Sequence, residues 1–187
     1  MSSQVRCSWC GDDPLYITYH DEEWGVPVHD DAKLFEFIIL EWAQAGLSWI
    51  TVLRKRENYR KLFYDWDIAR IADMSDDILE AILLDPWVIR NRLKIYSVRE
   101  NAKVAIDIQK EFGSLDYYFW KYGNFVQEIY TWTHGVLTES ETSRALSKDL
   151  KKRWMSFIGS TIVYAFMQAI GMVDDHRDDC FRKNTHS

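Results

Sequence analysis

The clearest pattern of apolar and polar positions lies between residues 32 and 43. Apolar side chains recur there at steps of three and four residues: Leu34, Phe35, Ile38 and Trp42. This spacing predicts one helix with a single apolar face. Glu41 follows Ile38 by three positions, so its carboxylate is expected at the edge of that face rather than opposite it.

The same periodicity predicts further helices along the chain. Ser75 is a suitable N-cap for one of them, Asp85 and Pro86 end it, and the next helix opens near Arg90. A short turn or helix is expected around Trp66. The remaining helical segments are residues 48–59, part of 113–122, a helix capped by Ser143 around residues 146–150, and 161–172.

Two stretches show no helical period. Residues 6–28 combine aromatic side chains with turn-forming glycine, aspartate and proline, which predicts an irregular segment. Residues 130–141 are the least patterned part of the chain and are interpreted as a loop. Because no segment alternates apolar and polar positions over a sustained run, the predicted fold class is all-α.

Composition limits the class of protein. The chain has 187 residues, 47% of them hydrophobic, with only three prolines and eight glycines, which favours one compact helical domain. No apolar leader or membrane span is evident, so we expect a soluble, cytoplasmic protein with no membrane partner. The net charge of −6 argues against nucleic acid, although binding needs only one basic face.

One such face is predicted where a short hairpin joins two helices. Three cations stand within five residues at the start of the second helix: Arg90, Arg92 and Lys94. Free backbone N–H groups at a helix start attract anions, and Arg or Lys beside them can hold a DNA phosphate. The alternative is an ordinary helix corner with solvated side chains.

A second candidate site consists of possible metal ligands near both ends of the chain. Five residues compete for four positions: Cys7, Cys10, His20, His176 and Cys180. Two cysteines separated by two residues are a familiar zinc spacing, and His176 and Cys180 would share a helical face. The alternative is that these residues are unrelated.

A third candidate is the bend at Gly46. Glu41, the Gln44 amide and the indoles of Trp42 and Trp49 surround it. Aromatic surfaces with a few polar groups suit a flat, polar ring ligand. The alternative is a buried, tryptophan-rich helix corner.

Four motifs in this order resemble the 3-methyladenine DNA glycosylase I family, over about residues 6–180. They are DPLYITYHDEEWG at 13–25, QAGLSW at 44–49, IRNR at 89–92 and AFMQA at 165–169. The resemblance implies a helix–hairpin–helix glycosylase in base excision repair. Such an enzyme flips 3-methyladenine out of double-stranded alkylated DNA and hydrolyses its bond to the sugar, releasing the free base.

The family's functional residues transfer to matching positions. The resemblance implies that Glu41 is the catalytic carboxylate, with a base-binding set of Tyr16, Trp49, Tyr19 and Trp9. It also implies a structural zinc bound by Cys7, His20, His176 and Cys180, which leaves Cys10 as a spare thiol. The whole chain, 1–187, would then be one glycosylase domain, acting as a monomer, with its termini joined by the metal.

The chain departs from the family at three positions where glycine is usual: Trp42, Trp87 and Trp154. An indole at Trp42 would crowd the base pocket, and one at Trp87 would shield the hairpin amides from phosphate. Two alternative functions follow: a catalytically weakened, zinc-stapled binder of DNA damage, or a small-molecule pocket protein on the same fold.

Overall fold

The computed structural model describes residues 4–44, 46–132, 135 and 137–183. Its regular structure is almost entirely helical. The helices are α1 (Pro14–Glu22), α2 (Asp31–Ala43), α3 (Trp49–Leu62), α4 (Ile68–Ala72), α5 (Asp76–Leu84), α6 (Arg92–Phe112), α7 (Leu115–Trp120), α8 (Glu141–Lys152) and α9 (Ser160–Ala169). The described residues also form three short 3-10 helices (Ser8–Cys10, Tyr64–Trp66 and Lys121–Gly123) and two short strands, β1 (Glu128–Ile129) and β2 (Val173–Asp174).

Helix α2 is the central element of the core. All of its residues from Leu34 to Ala43 are buried, and it packs against α3, α6, α7 and α9. The helix begins where Asp30 accepts a hydrogen bond from the Lys33 backbone N–H at 2.8 Å. The predicted helix over 32–43 is confirmed, and because α2 is covered on all sides, Glu41 is buried with it.

A buried ionic network fixes α3 and the end of α1 against α2. The Arg56 guanidinium donates to Glu36 at 2.8 Å and to Glu23 at 2.8 Å. Burial of a cation is tolerated here because two carboxylates share its charge. The network sets the relative positions of the three helices that carry Tyr19, Glu41 and Trp49.

The predicted helix–hairpin–helix is also present. Helix α5 follows the predicted N-cap Ser75, whose Oγ accepts from the Ile78 backbone N–H. Helix α6 starts at Arg92, and the Asn91 side chain caps it by accepting from the Lys94 backbone N–H at 3.1 Å. The second helix therefore begins two residues later than expected, with Arg90 in the connection.

Two predictions about helix starts were wrong. The segment predicted as irregular contains α1, which Asp13 caps and Pro14 opens at its first position. Its side chains face a cavity on one side, so they show no apolar stripe. The N-cap of α8 is Ser140, not Ser143, because the two serines form a reciprocal capping box in which Ser143 is the third helical residue.

The strands pair in parallel, with Glu128 opposite Val173 and Ile129 opposite Asp174. Two residues per strand are too few to give a period-two signal, so the all-α prediction missed this contact. The predicted loop over 130–141 follows β1. Three of its residues, Thr133, His134 and Val136, lie outside the described residues, as does Ala45 of the bend motif.

Within the described ranges, every helix is too short or too polar to cross a lipid bilayer.

Candidate functional site

A cavity of about 260 Å³ lies between α1, the C-terminal end of α2, the start of α3 and α9. Its walls are largely aromatic. The rings that line it are those of Trp9, Tyr16, Tyr19, Trp24, Trp49 and Trp132. A cavity of this size and lining suits a single flat ring system such as a nucleobase.

The rings support one another through direct contacts. Tyr16 and Tyr19, three residues apart on α1, present neighbouring side chains. The Trp9 ring lies 5.1 Å from Tyr16 and 5.0 Å from Trp24, centroid to centroid. Tyr19 in turn lies 5.5 Å from Trp49. These contacts hold the rings in fixed orientations, so the cavity is preformed.

Glu41 contributes a buried carboxylate to this cavity. Its residue is only 6% exposed, and its carboxylate makes no hydrogen bond or ion pair with any residue that the structure describes. Burial raises the pKa of Glu41 to about 8. The carboxylate oxygens are therefore hydrogen-bond acceptors that a bound cation or N–H donor would satisfy.

A second carboxylate, that of Asp175, lines the same cavity but already accepts hydrogen bonds from protein groups. It is 1% exposed and accepts hydrogen bonds from the Trp132 indole at 3.0 Å, from the Gln168 amide and from the Tyr164 hydroxyl. These donors lower the pKa of Asp175, although burial, the larger effect, leaves it raised. Glu41 is thus the carboxylate left available for a ligand in the described part of the cavity.

All five residues assigned to the base site by resemblance line this cavity: Glu41, Tyr16, Trp49, Tyr19 and Trp9. Gln44 and Trp24, which the sequence placed near the bend or in the aromatic segment, line it too. Sequence reasoning missed Trp132, Gln168 and Asp175. Gln168 stands in the AFMQA motif and Asp175 precedes His176, but Trp132 falls in a stretch without any period.

Four potential metal ligands meet on the other side of α1. The ligand atoms of Cys7, His20, His176 and Cys180 all lie within 4.8 Å of one another, and all four residues are buried. Cys180 Sγ is 3.5 Å from His20 Nε2 and 3.6 Å from His176 Nδ1. A tetrahedral zinc site with two sulfur and two nitrogen ligands has edges of roughly this length, about 3.5 Å.

The surroundings of the cluster also fit a cation. The nitrogen of each imidazole that points away from the cluster has a hydrogen-bond partner: His20 Nδ1 lies 2.7 Å from Asp21, and His176 Nε2 lies 3.2 Å from the Trp24 carbonyl. Such partners fix the ring orientation of metal-binding histidines. Burial raises the pKa of the Cys7 thiol to about 12, a cost to its thiolate that a divalent cation would offset.

Gly25 makes room for this arrangement. Its φ is +81°, and a Cβ at this position would stand 2.9 Å from His176 Nε2. Cys10 lies outside the cluster, because its thiol donates to the Cys7 carbonyl at 3.1 Å instead. The geometry therefore favours Cys7 over Cys10 as the fourth ligand, a choice that spacing alone left open.

The three predicted DNA-binding cations lie in different environments. Arg90 and Arg92 are exposed, and Arg92 forms an ion pair with Glu80 at 2.6 Å. Lys94 is buried, and its ammonium donates to the Ala43 carbonyl at 3.0 Å. The expectation that Lys94 faces a phosphate is contradicted by this contact, since its position on α6 turns the side chain into the protein.

Two backbone amides of the hairpin already have hydrogen-bond partners within the protein. The backbone N–H of Trp87 donates to the Asp85 carboxylate at 2.7 Å, and that of Ile89 donates to the Tyr59 hydroxyl at 2.9 Å. Trp87 is 61% exposed, and Lys55 Nζ lies 5.6 Å from the centroid of its ring, so the indole is not part of the core.

The other two tryptophans at family glycine positions differ sharply. Trp42 is buried and stacks on Phe157, with ring centroids 5.3 Å apart. It is not among the residues that line the cavity, so it does not narrow the space for a ligand. Trp154 is 87% exposed and has a φ of +68°, a left-handed conformation that glycine adopts without strain. Of the two, only Trp154 has a backbone that favours glycine.

The chain is similar in sequence to known proteins. Residues 9–183 match the sequence profile of the family described as methyladenine glycosylase. The chain is 45% identical over 177 residues to the DNA-3-methyladenine glycosylase 1 of Escherichia coli (strain K12), which covers 94% of this chain and 95% of the relative.

The fold of this chain also superposes on solved structures over nearly its full length. The Staphylococcus aureus 3-methyladenine DNA glycosylase I, whose structure addresses 3-methyladenine recognition, superposes with a TM-score of 0.93 at 33% identity. The match covers 97% of this chain and 98% of that one. A variant of a 3-methyladenine DNA glycosylase I in complex with 3-methyladenine gives a TM-score of 0.92 at 33% identity, covering 97% and 99%.

Proposed function

We propose a function from one premise: the chain belongs to the methyladenine glycosylase family. It is a 3-methyladenine DNA glycosylase, which flips the damaged base out of alkylated DNA and hydrolyses the bond between base and sugar. This reaction opens base excision repair. The free base is the product, as the related complex with 3-methyladenine supports.

The observation that carries the proposal is the Glu41 carboxylate, which lies in an aromatic cavity and has no hydrogen-bond or ion-pair partner among the described residues. An N3-alkylated adenine in DNA is positively charged. Aromatic faces attract a cationic ring, and a carboxylate satisfies both its charge and its exocyclic N–H. The arrival of this cation favours the ionised form of Glu41, so burial of the carboxylate is compensated only when the correct base is bound.

Cleavage of this glycosidic bond requires little from the protein beyond binding of the flipped base. The positive charge already weakens the glycosidic bond, so the base departs neutral while water adds to the sugar carbon and releases a proton. Glu41 and the rings of Tyr16, Trp49, Tyr19 and Trp9 hold the flipped base during this step. Proton transfer to the leaving group is unnecessary, which is consistent with a site whose other carboxylate, Asp175, is fully engaged.

The same arrangement would exclude normal adenine. A neutral adenine brings no charge to compensate the buried carboxylate of Glu41, so its binding leaves that group desolvated without an ion pair. Discrimination between 3-methyladenine and adenine therefore comes from the cost of leaving the buried Glu41 carboxylate without a cation, and not from shape alone.

For the DNA backbone, we propose contact through the exposed hairpin cations Arg90 and Arg92. Exposed Lys148, Lys151 and Lys152 on α8 supply further positive charge. Phosphate contacts by such groups are independent of sequence and position the duplex. Lys94 is left out of this surface because its ammonium is buried.

We also propose that Cys7, His20, His176 and Cys180 bind a structural zinc ion. The donor set and its spacing support the metal, which would join the two ends of the chain and steady the wall formed by Trp9 and Trp24. Since the cavity and the cluster are both built within one chain, we propose a single domain that acts as a monomer. Its DNA substrate favours a cytoplasmic location.

Release of 3-methyladenine from methylated duplex DNA tests this function. The parent protein should release the base, and Glu41→Gln, which keeps shape but removes the charge, should release it far more slowly. Duplex binding without release would support the weakened damage binder instead. Salt-insensitive binding, or no duplex binding, would support the small-molecule pocket protein.

A further inference from the structure

Trp132 is a cavity-lining aromatic residue that the proposed function does not use. It lies beyond β1, in the stretch for which the sequence predicts only a loop. Tyr16, Tyr19 and Trp49 lie in the family motifs, whereas Trp132 lies in none of them.

The indole of Trp132 is held at its edge. Its Nε1–H donates to the Asp175 carboxylate at 3.0 Å and to the Asp175 carbonyl at 3.1 Å. Asp175 is itself fixed by hydrogen bonds from Gln168 and Tyr164. A ring whose N–H is shared between two acceptors of one buried, immobilised residue has lost part of its rotational freedom before any ligand arrives.

Among the described residues, no other aromatic ring packs on the faces of this indole. Trp9 packs against the rings of Tyr16 and Trp24, and Trp49 packs against Tyr19. Trp132 makes no ring contact with any residue in the described ranges. A half-buried indole that lines a cavity, is fixed by its edge and is not stacked is a surface prepared for a flat ligand.

We propose that Trp132 is a further base-binding residue, against whose indole the flipped, cationic purine lies. This inference rests on the proposed function and adds a residue that contributes affinity for the base. Trp is the aromatic side chain that attracts a cationic ring most strongly. Stacking between an aromatic side chain and a base is sequence-tolerant, so the indole adds affinity while Glu41 selects for charge.

Trp132 also lines a second surface groove, together with Ser8, Arg177 and Asp179. Because the residue belongs to the walls of both the groove and the base cavity, we expect loss of its ring to remove a stacking face and to widen the cavity.

The test is the affinity for free 3-methyladenine, measured by calorimetry on Trp132→Leu and Trp132→Phe. Leu keeps apolar volume without an aromatic face, and we expect it to weaken binding about tenfold. Phe keeps the face but loses the N–H donor to Asp175, and we expect it to stay within about threefold of the parent. Trp154→Leu, an exposed tryptophan outside the cavity, is the matched control and should bind like the parent.

Unchanged affinity in Trp132→Leu would overturn the inference. So would equal losses in the Leu and Phe variants together with a lowered melting temperature, because that pattern marks a structural anchor rather than a stacking face. If the parent itself binds no 3-methyladenine, the proposed function fails. If the parent binds and Glu41→Gln weakens binding while Trp132→Leu does not, only the role of Trp132 fails.

Discussion

Lys94 Nζ donates to the Ala43 carbonyl oxygen at 3.0 Å, so a side chain of the helix–hairpin–helix holds the C-terminal end of the helix that carries Glu41. Arg90, four residues earlier, is exposed in the connection. Two cations in one motif therefore have different tasks. One links the hairpin to the base cavity, and the other faces outward.

This contrast predicts that Arg90→Met and Lys94→Met differ in their effect on duplex binding. Arg90→Met should lose a phosphate contact, so the slope of the logarithm of the binding constant against the logarithm of the salt concentration should decrease in magnitude by about one. Lys94→Met should leave that slope unchanged but weaken 3-methyladenine binding a few-fold, since the Ala43 carbonyl loses a donor. Titrations of duplex at several salt concentrations measure the slope. A reduced slope in Lys94→Met would show that the ammonium reaches the phosphate.

The buried carboxylate of Glu41 predicts a pH-dependent stability. Its pKa rises from 4.5 to about 8 in the folded protein, so the folded state keeps a proton that the unfolded chain loses. The contribution of this group to the free energy of unfolding is therefore full below about pH 4.5 and falls as pH rises towards 8. Glu41→Gln removes this dependence and should be more stable than the parent at pH 8, by on the order of 2 kcal/mol.

Melting curves of both proteins at pH 5 and pH 8 provide the comparison. The stability advantage of Glu41→Gln should be small at the lower pH and larger at the higher one. An advantage that is equal at both pH values would mean that Glu41 is not held neutral by burial.

The metal cluster predicts different consequences for its neighbouring cysteines. Cys7→Ser should lose near-stoichiometric zinc and melt several degrees lower, because two imidazoles and one thiolate remain around the site. Cys10→Ser should keep the metal, since that thiol donates to backbone carbonyls and lies outside the ligand cluster. Metal analysis of the purified proteins decides between them. Metal lost from Cys10→Ser and kept in Cys7→Ser would reverse the assignment.

Trp154 and Trp87 form a matched pair for a backbone prediction. Trp154 has a φ of +68°, whereas Trp87 is absent from the described residues with positive φ. Trp154→Gly should stabilise the fold by about 1 kcal/mol through relief of left-handed strain. Trp87→Gly should destabilise it by about 0.5 kcal/mol and leave duplex affinity at fixed salt unchanged, because the backbone N–H groups of Trp87 and Ile89 are internally bonded. Tighter duplex binding by Trp87→Gly would revive the shielding interpretation.

Much of the fold could be predicted from periodicity and capping. Helix α2, the helix–hairpin–helix and the Ser75 cap follow from local patterns, because an apolar stripe and a capping side chain act within a few residues. Helix α1 escaped prediction for a physical reason. Its tyrosines face a cavity and its Asp13 cap lies in a turn-rich segment, so neither stripe nor boundary is visible in the sequence.

The site residues were predictable only where the family resemblance assigns them a role. Glu41 and the aromatic set follow from resemblance, and their shared cavity agrees with that expectation. Lys94 was misplaced because a sequence shows charge but not the direction of a side chain. Trp132 and Asp175 were missed because their contact joins residues 43 positions apart, through a hydrogen bond that no local pattern encodes.

The cavity draws its walls from Trp9 near one end of the sequence and from Gln168 and Asp175 near the other. During translation the ribosome releases these residues in order, so a nascent chain carries Glu41 and the α1 tyrosines long before the opposite wall exists. A protein that is still being synthesised therefore has no enclosed place for a base. Partly made chains cannot cut bases from DNA, and excision becomes possible only after residue 175 has left the ribosome and folded back.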